Sequence, residues 1–189
     1  MKVSLFFGSF NPVHNGHLNI ANFMYNHYPI DEIWFVLSPL NPLKNAKDLL
    51  PEHQRLQLLK AGIQPYSYFK ASTLEFELPK PSYTYYSLRE FEKRNPDFCF
   101  SIIMGNDAMF CIEKWKNHQV IITNYTIYLY PRQNIILPPL AENIIQTEAP
   151  LQNISSTEIR QKIKNNESVK DLLPPAVFEI LEKEKYYSL

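Results

Sequence analysis

The chain has 189 residues, 45% of them hydrophobic and 20% charged, the balance of a globular protein with one sizeable core. Lys plus Arg and Asp plus Glu number 19 each, so the formal net charge is zero. This excludes a broadly basic surface for nucleic acid or for a membrane, and any anion site must be local.

Residues 3–7 are apolar, β-branched and aromatic and predict a first strand. The segment "GSFNPVHNGH" follows and leads into helical periodicity over residues 17–27, where Leu18, Ala21, Phe23 and Met24 recur at helical spacing. Residues 32–37 predict a second strand, and the proline-rich stretch 38–51 an irregular loop. Leu56, Leu58, Leu59 and Ile63 predict a helix over 52–63, and a third strand is expected over 68–76. Prolines at 79 and 81 break the chain before a helix over 84–94, whose basic end suits the helix dipole. Residues 98–104 and 125–130 predict two more strands, with Cys111 in a helix between them. The stretch 131–150 reads as a long loop with at most a short strand near 144–147. Two helices close the chain, over 157–165 and 175–185; the second opens on a proline and carries Val177, Ile180 and Leu181 on one face. Strand alternating with helix is the pattern of a Rossmann-like, doubly wound parallel α/β sheet, here a single domain over 1–189 with C-terminal helices.

The two cysteines, Cys99 and Cys111, build neither a disulfide framework nor a zinc cluster and are expected as buried free thiols. No apolar run is long enough to cross a bilayer, and Gly8 and Gly16 interrupt any signal-like apolar core. A cytoplasmic protein is the expectation. Nothing in the sequence signals an oligomeric state.

In an open parallel sheet, ligands sit beyond the carboxyl ends of the strands. Gly8, Gly16 and Gly105 lie in turns just after predicted strands. His14 and His17 stand three apart at a helix entrance, where free N–H groups attract anions and imidazoles can donate to phosphate oxygens. A tight turn with two ordinary histidines is the competing reading, and no cysteine or carboxylate cluster completes a metal pair. Ser155, Ser156 and Thr157 precede the next-to-last helix, and Arg160 lies one turn into it. One hydroxyl suffices for an N-cap; three with a guanidinium make a polyphosphate cradle.

"GSFNPVHNGH" together with "ISSTEIR", at opposite ends of the chain, resembles the nucleotidyltransferase superfamily with the H-x-G-H motif. "PSYTYYSLREFEK" and "IIMGNDAMF" are similar to elements of the nicotinate-nucleotide adenylyltransferases within it. The resemblance implies direct adenylyl transfer from ATP to nicotinate mononucleotide, giving nicotinate adenine dinucleotide and pyrophosphate without a covalent intermediate. It implies His14, His17 and Arg160 as catalytic groups, and Gly8, Ser9, Phe10, Gly16, Ser155, Ser156 and Thr157 as the ATP site. Lys44, Ser82, Tyr83, Thr84, Gly105, Asn106, Asp107, Trp115 and Arg132 would hold the acceptor nucleotide, with no dedicated metal ligand and Mg²⁺ arriving with ATP. From the residues alone, Thr84 and the Asn106–Asp107 pair also fit plain caps, and Trp115 a core or lid position.

The chain departs from that family in four places. Leu43 stands where a histidine is usual before Lys44, Pro131 precedes Arg132 with no glycine after it, Phe7 replaces a glycine, and Asn11 an aspartate. The alternatives are the same chemistry on nicotinamide mononucleotide or phosphopantetheine, or a nucleotide-sensing module without turnover.

Overall fold

The computed structural model describes residues 1–39, 49–132, 135, 137 and 140–188. The β-branched and aromatic runs form six strands: β1 (Lys2–Gly8), β2 (Glu32–Leu37), β3 (Phe69–Ser72), β4 (Cys99–Gly105), β5 (Thr126–Tyr130) and β6 (Ile144–Gln146). All pair in parallel, in the order β3-β2-β1-β4-β5-β6. The chain winds outward from β1 to β3, then returns to lay β4 on the other side of β1. The strand order therefore reverses between β1 and β4, where a crevice opens at the carboxyl edge.

The connections supply the helices α1 (Asn15–His27), α2 (Glu52–Ile63), α3 (Thr84–Arg94), α4 (Asn106–Phe110), α5 (His118–Asn124), α6 (Ser156–Lys164) and α7 (Pro175–Glu184). Side chains alternate along each strand, so each strand feeds both faces. Phe6, Phe35, Ile103 and Tyr128 pack on one face with Leu18 and Met24 of α1, Leu58 and Leu59 of α2 and Val177 of α7. Val3, Leu5, Ile102 and Ile127 pack on the other with Leu88 and Phe91 of α3 and Ile121 of α5. Both faces are covered, as a parallel sheet requires, and the doubly wound α/β expectation holds.

Three details differ from the sequence reading. The strand expected over 68–76 stops at Ser72, because Leu74–Phe76 turns into a single 3₁₀ turn. α5 was not anticipated; it starts after Asn117, which sits in the left-handed region at φ 52°. The thiols are not buried: Cys99 is exposed and Cys111 partly so. Among the described residues no helix is long and apolar enough to cross a membrane.

Candidate active site

The loop from β1 to α1 is shaped by Phe10. Its φ is 40°, whereas no glycine takes a positive φ. The Phe10 ring is buried against Phe6, Phe35 and His17, with centroids 5.8, 5.4 and 5.1 Å away. A Cβ on Gly8 would meet that ring at 2.8 Å, so glycine is there to admit the ring and not to bend the chain. Gly16 makes room in the same way for the His14 ring, which an added Cβ would meet at 3.1 Å.

His14 caps α1, and its ring stacks on His17 with centroids 3.7 Å apart. The His14 backbone N–H donates to His17 Nδ1 at 3.3 Å. An accepting Nδ1 leaves the proton of neutral His17 on Nε2, so that nitrogen is a donor. His14 is 4% exposed. Burial first, and Arg132 second, push its pKa down from 6.5 to about 3, so it is neutral at pH 7. Because the unfolded chain takes up this proton first, its contribution leaves stability intact above about pH 6.5. Stability then falls as pH drops toward about 3, by at most about 1.4 kcal/mol per unit. His14→Gln should flatten that acid slope, as read from urea midpoints at about pH 7, 5.5 and 4.5. Equal slopes in the two proteins would remove His14 as their origin.

The second half of the site is the first turn of α6. Ser155 is the N-cap, its Oγ accepting from the Glu158 N–H at 3.1 Å. Ser156 is then free of capping duty and donates to the Pro12 carbonyl at 2.9 Å. Arg160 donates to the Asn11 carbonyl at 2.9 Å and to Thr157 Oγ1 at 3.4 Å. Helix α6 is thus bonded directly to the loop that leads into the two histidines at the start of α1. Asn11 adds to the joint: its Oδ1 accepts from the Tyr187 hydroxyl at 2.6 Å and from the Leu50 N–H at 3.1 Å.

At the carboxyl ends of β1 and β4 lies a cavity of about 530 Å³, and His14, His17, Ser155, Ser156, Thr157 and Arg160 are not on its lining. Gly8, Ser82, Tyr83, Thr84, Gly105, Asp107, Trp115 and Arg132 line it, all of them residues singled out from the sequence. Thr84 does not cap α3; Tyr83 holds that position without a side-chain bond. Asn106 is not on the wall, and its Oδ1 accepts from the Arg132 N–H at 3.0 Å. Arg132 pairs with Asp107 at 3.4 Å. A Cβ on Gly105 would come within 2.3 Å of Asp107 Oδ1, so this glycine permits the close turn. Lys44 lies outside the described residues. Ser9 takes part through its carbonyl, which accepts from Arg55 at 2.7 Å.

Two residues escaped the sequence reading. Arg55 is fully buried and also donates to the carbonyls of Leu50, Ser38 and Pro39, at 2.9, 2.8 and 3.1 Å. It shares the buried face of α2 with Leu58, Leu59 and Gly62, and that spacing was a readable signal. Glu75 lies on the cavity wall and is 2% exposed. Among the described residues, His14 Nδ1, Glu75 Oε2 and Asp107 Oδ1 are the buried side-chain atoms that lack a partner. No group of three His, Cys, Asp or Glu among those residues can hold a metal ion.

Known proteins resemble this chain in sequence and in fold. The cytidylyltransferase-like family model covers residues 5–162. A protein of Flavobacterium johnsoniae described as "Probable nicotinate-nucleotide adenylyltransferase" is 42% identical over 99% of both chains. One of Cytophaga hutchinsonii with the same description is 42% identical over 100% of this chain and 99% of its own. The solved nicotinic acid mononucleotide adenylyltransferase of Plasmodium falciparum, complexed with NaAD, superposes with a TM-score of 0.76 at 19% identity, over 98% of this chain and 97% of that one.

Proposed function

This chain belongs to the nicotinate-nucleotide adenylyltransferases of the cytidylyltransferase-like family, and from that premise we propose how its residues perform the reaction. ATP and nicotinate mononucleotide give nicotinate adenine dinucleotide and pyrophosphate, a step of NAD biosynthesis. An oxygen of the mononucleotide 5′-phosphate forms a bond to the α-phosphorus of ATP. The bond from that phosphorus to the oxygen bridging it to the β-phosphate breaks, and pyrophosphate departs. The attacking phosphate is already ionised at neutral pH, so positioning and charge neutralisation carry the catalysis.

The observation that supports these roles most is the bonded joint between α6 and the β1–α1 loop, a loop that leaves β1 at Gly8 on the cavity wall. His17 donates through Nε2 to the reacting phosphates, with neutral His14 stacked behind it. Ser155, Ser156, Thr157 and Arg160 take the β- and γ-phosphates, and Gly8, Ser9, Phe10 and Gly16 form the floor beneath ATP. Arg160 exchanges a loop carbonyl for phosphate oxygens as ATP binds. Ser82, Tyr83, Thr84, Gly105, Asp107, Trp115 and Arg132 receive the mononucleotide, with Asn106 holding the Arg132 backbone in place from behind the wall, and Lys44 takes its phosphate. Mg²⁺ arriving with ATP would be held mainly by phosphate oxygens and water and would supply further charge neutralisation. Both substrates are intracellular metabolites, which supports a cytoplasmic location.

Initial rates with the two pyridine mononucleotides, followed by pyrophosphate release, test the acceptor. A preference for the nicotinate form of at least about tenfold in kcat/KM is expected. Equal or better use of the nicotinamide form would overturn that acceptor. No release with either would leave a nucleotide-sensing module.

A further inference from the structure

Glu75 sits in the 3₁₀ turn after β3, on the wall of the cavity. Its Oε1 accepts from the Ser87 hydroxyl at 2.7 Å, and its Oε2 has no partner. Ser87 is itself fully buried, one turn into α3 behind Tyr83 and Thr84. A buried carboxylate with an unanswered oxygen is costly and persists where something else answers it. Asp107, whose Oδ1 is also buried without a partner, lines the same cavity.

We infer that Glu75 binds a ribose hydroxyl of the acceptor mononucleotide. The inference rests on the reading of this cavity as the acceptor site. A carboxylate only accepts, so Oε2 needs an O–H or N–H donor. Nicotinate mononucleotide offers such donors only at its 2′ and 3′ hydroxyls. Its phosphate and its pyridine carboxylate are anions, which Glu75 repels. The same side chain therefore holds the ribose and disfavours the pyridine carboxylate at its own position, whereas Lys114 and Lys116, also on the lining, attract that anion.

The test compares nicotinate mononucleotide with its 2′-deoxy and 3′-deoxy analogues in the wild type, Glu75→Leu and Glu75→Gln. In the wild type, one deoxy analogue should raise the acceptor KM about tenfold. Glu75→Leu should raise KM for the parent acceptor by a similar factor and shrink the deoxy penalty to less than about twofold, with the ATP KM little changed. Its Tm should not fall, because an unanswered buried acceptor is removed and Ser87 can turn to the Tyr83 carbonyl at 3.5 Å. A merely structural Glu75 would lower Tm and leave the deoxy penalty at its wild-type size, and that result overturns the inference. So does a wild type indifferent to both deoxy analogues, which needs no variant. Should the leucine variant not fold, the same ratio is read in Glu75→Gln. A wild type that fails to use nicotinate mononucleotide at all would instead strike the acceptor assignment.

Discussion

Replacing His17 by alanine should lower kcat by about two to three orders of magnitude while moving Tm little. The fold loses little in this change. His17 accepts a long bond, 3.3 Å from the His14 N–H to Nδ1, and makes ring contacts with His14, Phe10 and Phe6 that neighbouring apolar groups can partly replace. A bond of that length is worth less than about 1 kcal/mol. The reaction loses a donor whose direction the same bond sets. Charge builds on the oxygens around the α-phosphorus as the new bond forms, and a preorganised N–H aimed there acts most in the transition state. The ATP KM should therefore change less than kcat. Near-normal turnover in His17→Ala would overturn the role given to this histidine.

The sheet was legible wherever a strand is a plain apolar run, as at β1, β2, β4 and β5. It was less so at β3, where the apolar run continues past the strand. Leu74 and Phe76 look like strand residues, yet Thr73 leaves the extended region and the chain turns. α5 is short, and its polar start at His118 and Gln119 hides the three apolar residues that follow. At the site, the two motifs were readable because scarce residue types fell together. The reason for the glycines was not. Gly8 and Gly16 yield space to Phe10 and His14, a fact of tertiary packing that no local rule of turn chemistry carries. The strained backbone falls on Phe10, a residue type that gives no warning of it. Glu75 was hidden for a related reason: its partner Ser87 lies on a different element, and only the fold brings the two together.

Arg55→Ala should be the most destabilising of these changes, by about 3–5 kcal/mol, with Tm lower by about 10 °C. The guanidinium is wholly buried, and burial lowers its pKa, with Glu52 and Tyr187 partly offsetting this. It is held by backbone carbonyls of four residues, Ser9, Ser38, Pro39 and Leu50. Truncation leaves those carbonyls without this donor in a dry site and opens a void the size of the side chain. Lysine cannot substitute, because one ammonium group does not reproduce a planar fork reaching acceptors on several sides. Arg55→Lys should therefore recover only a minor part of the loss. The location matters as much as the energy. Ser9 follows β1, and Ser38 and Pro39 follow β2, so Arg55 ties together the carboxyl ends of two adjacent strands at the ligand edge. Surviving activity in either variant should show raised KM for both substrates, since the loops that receive them share this one anchor. A Tm within about 2 °C of wild type in Arg55→Ala would show that the carbonyls find other partners and that the edge is held by the sheet alone.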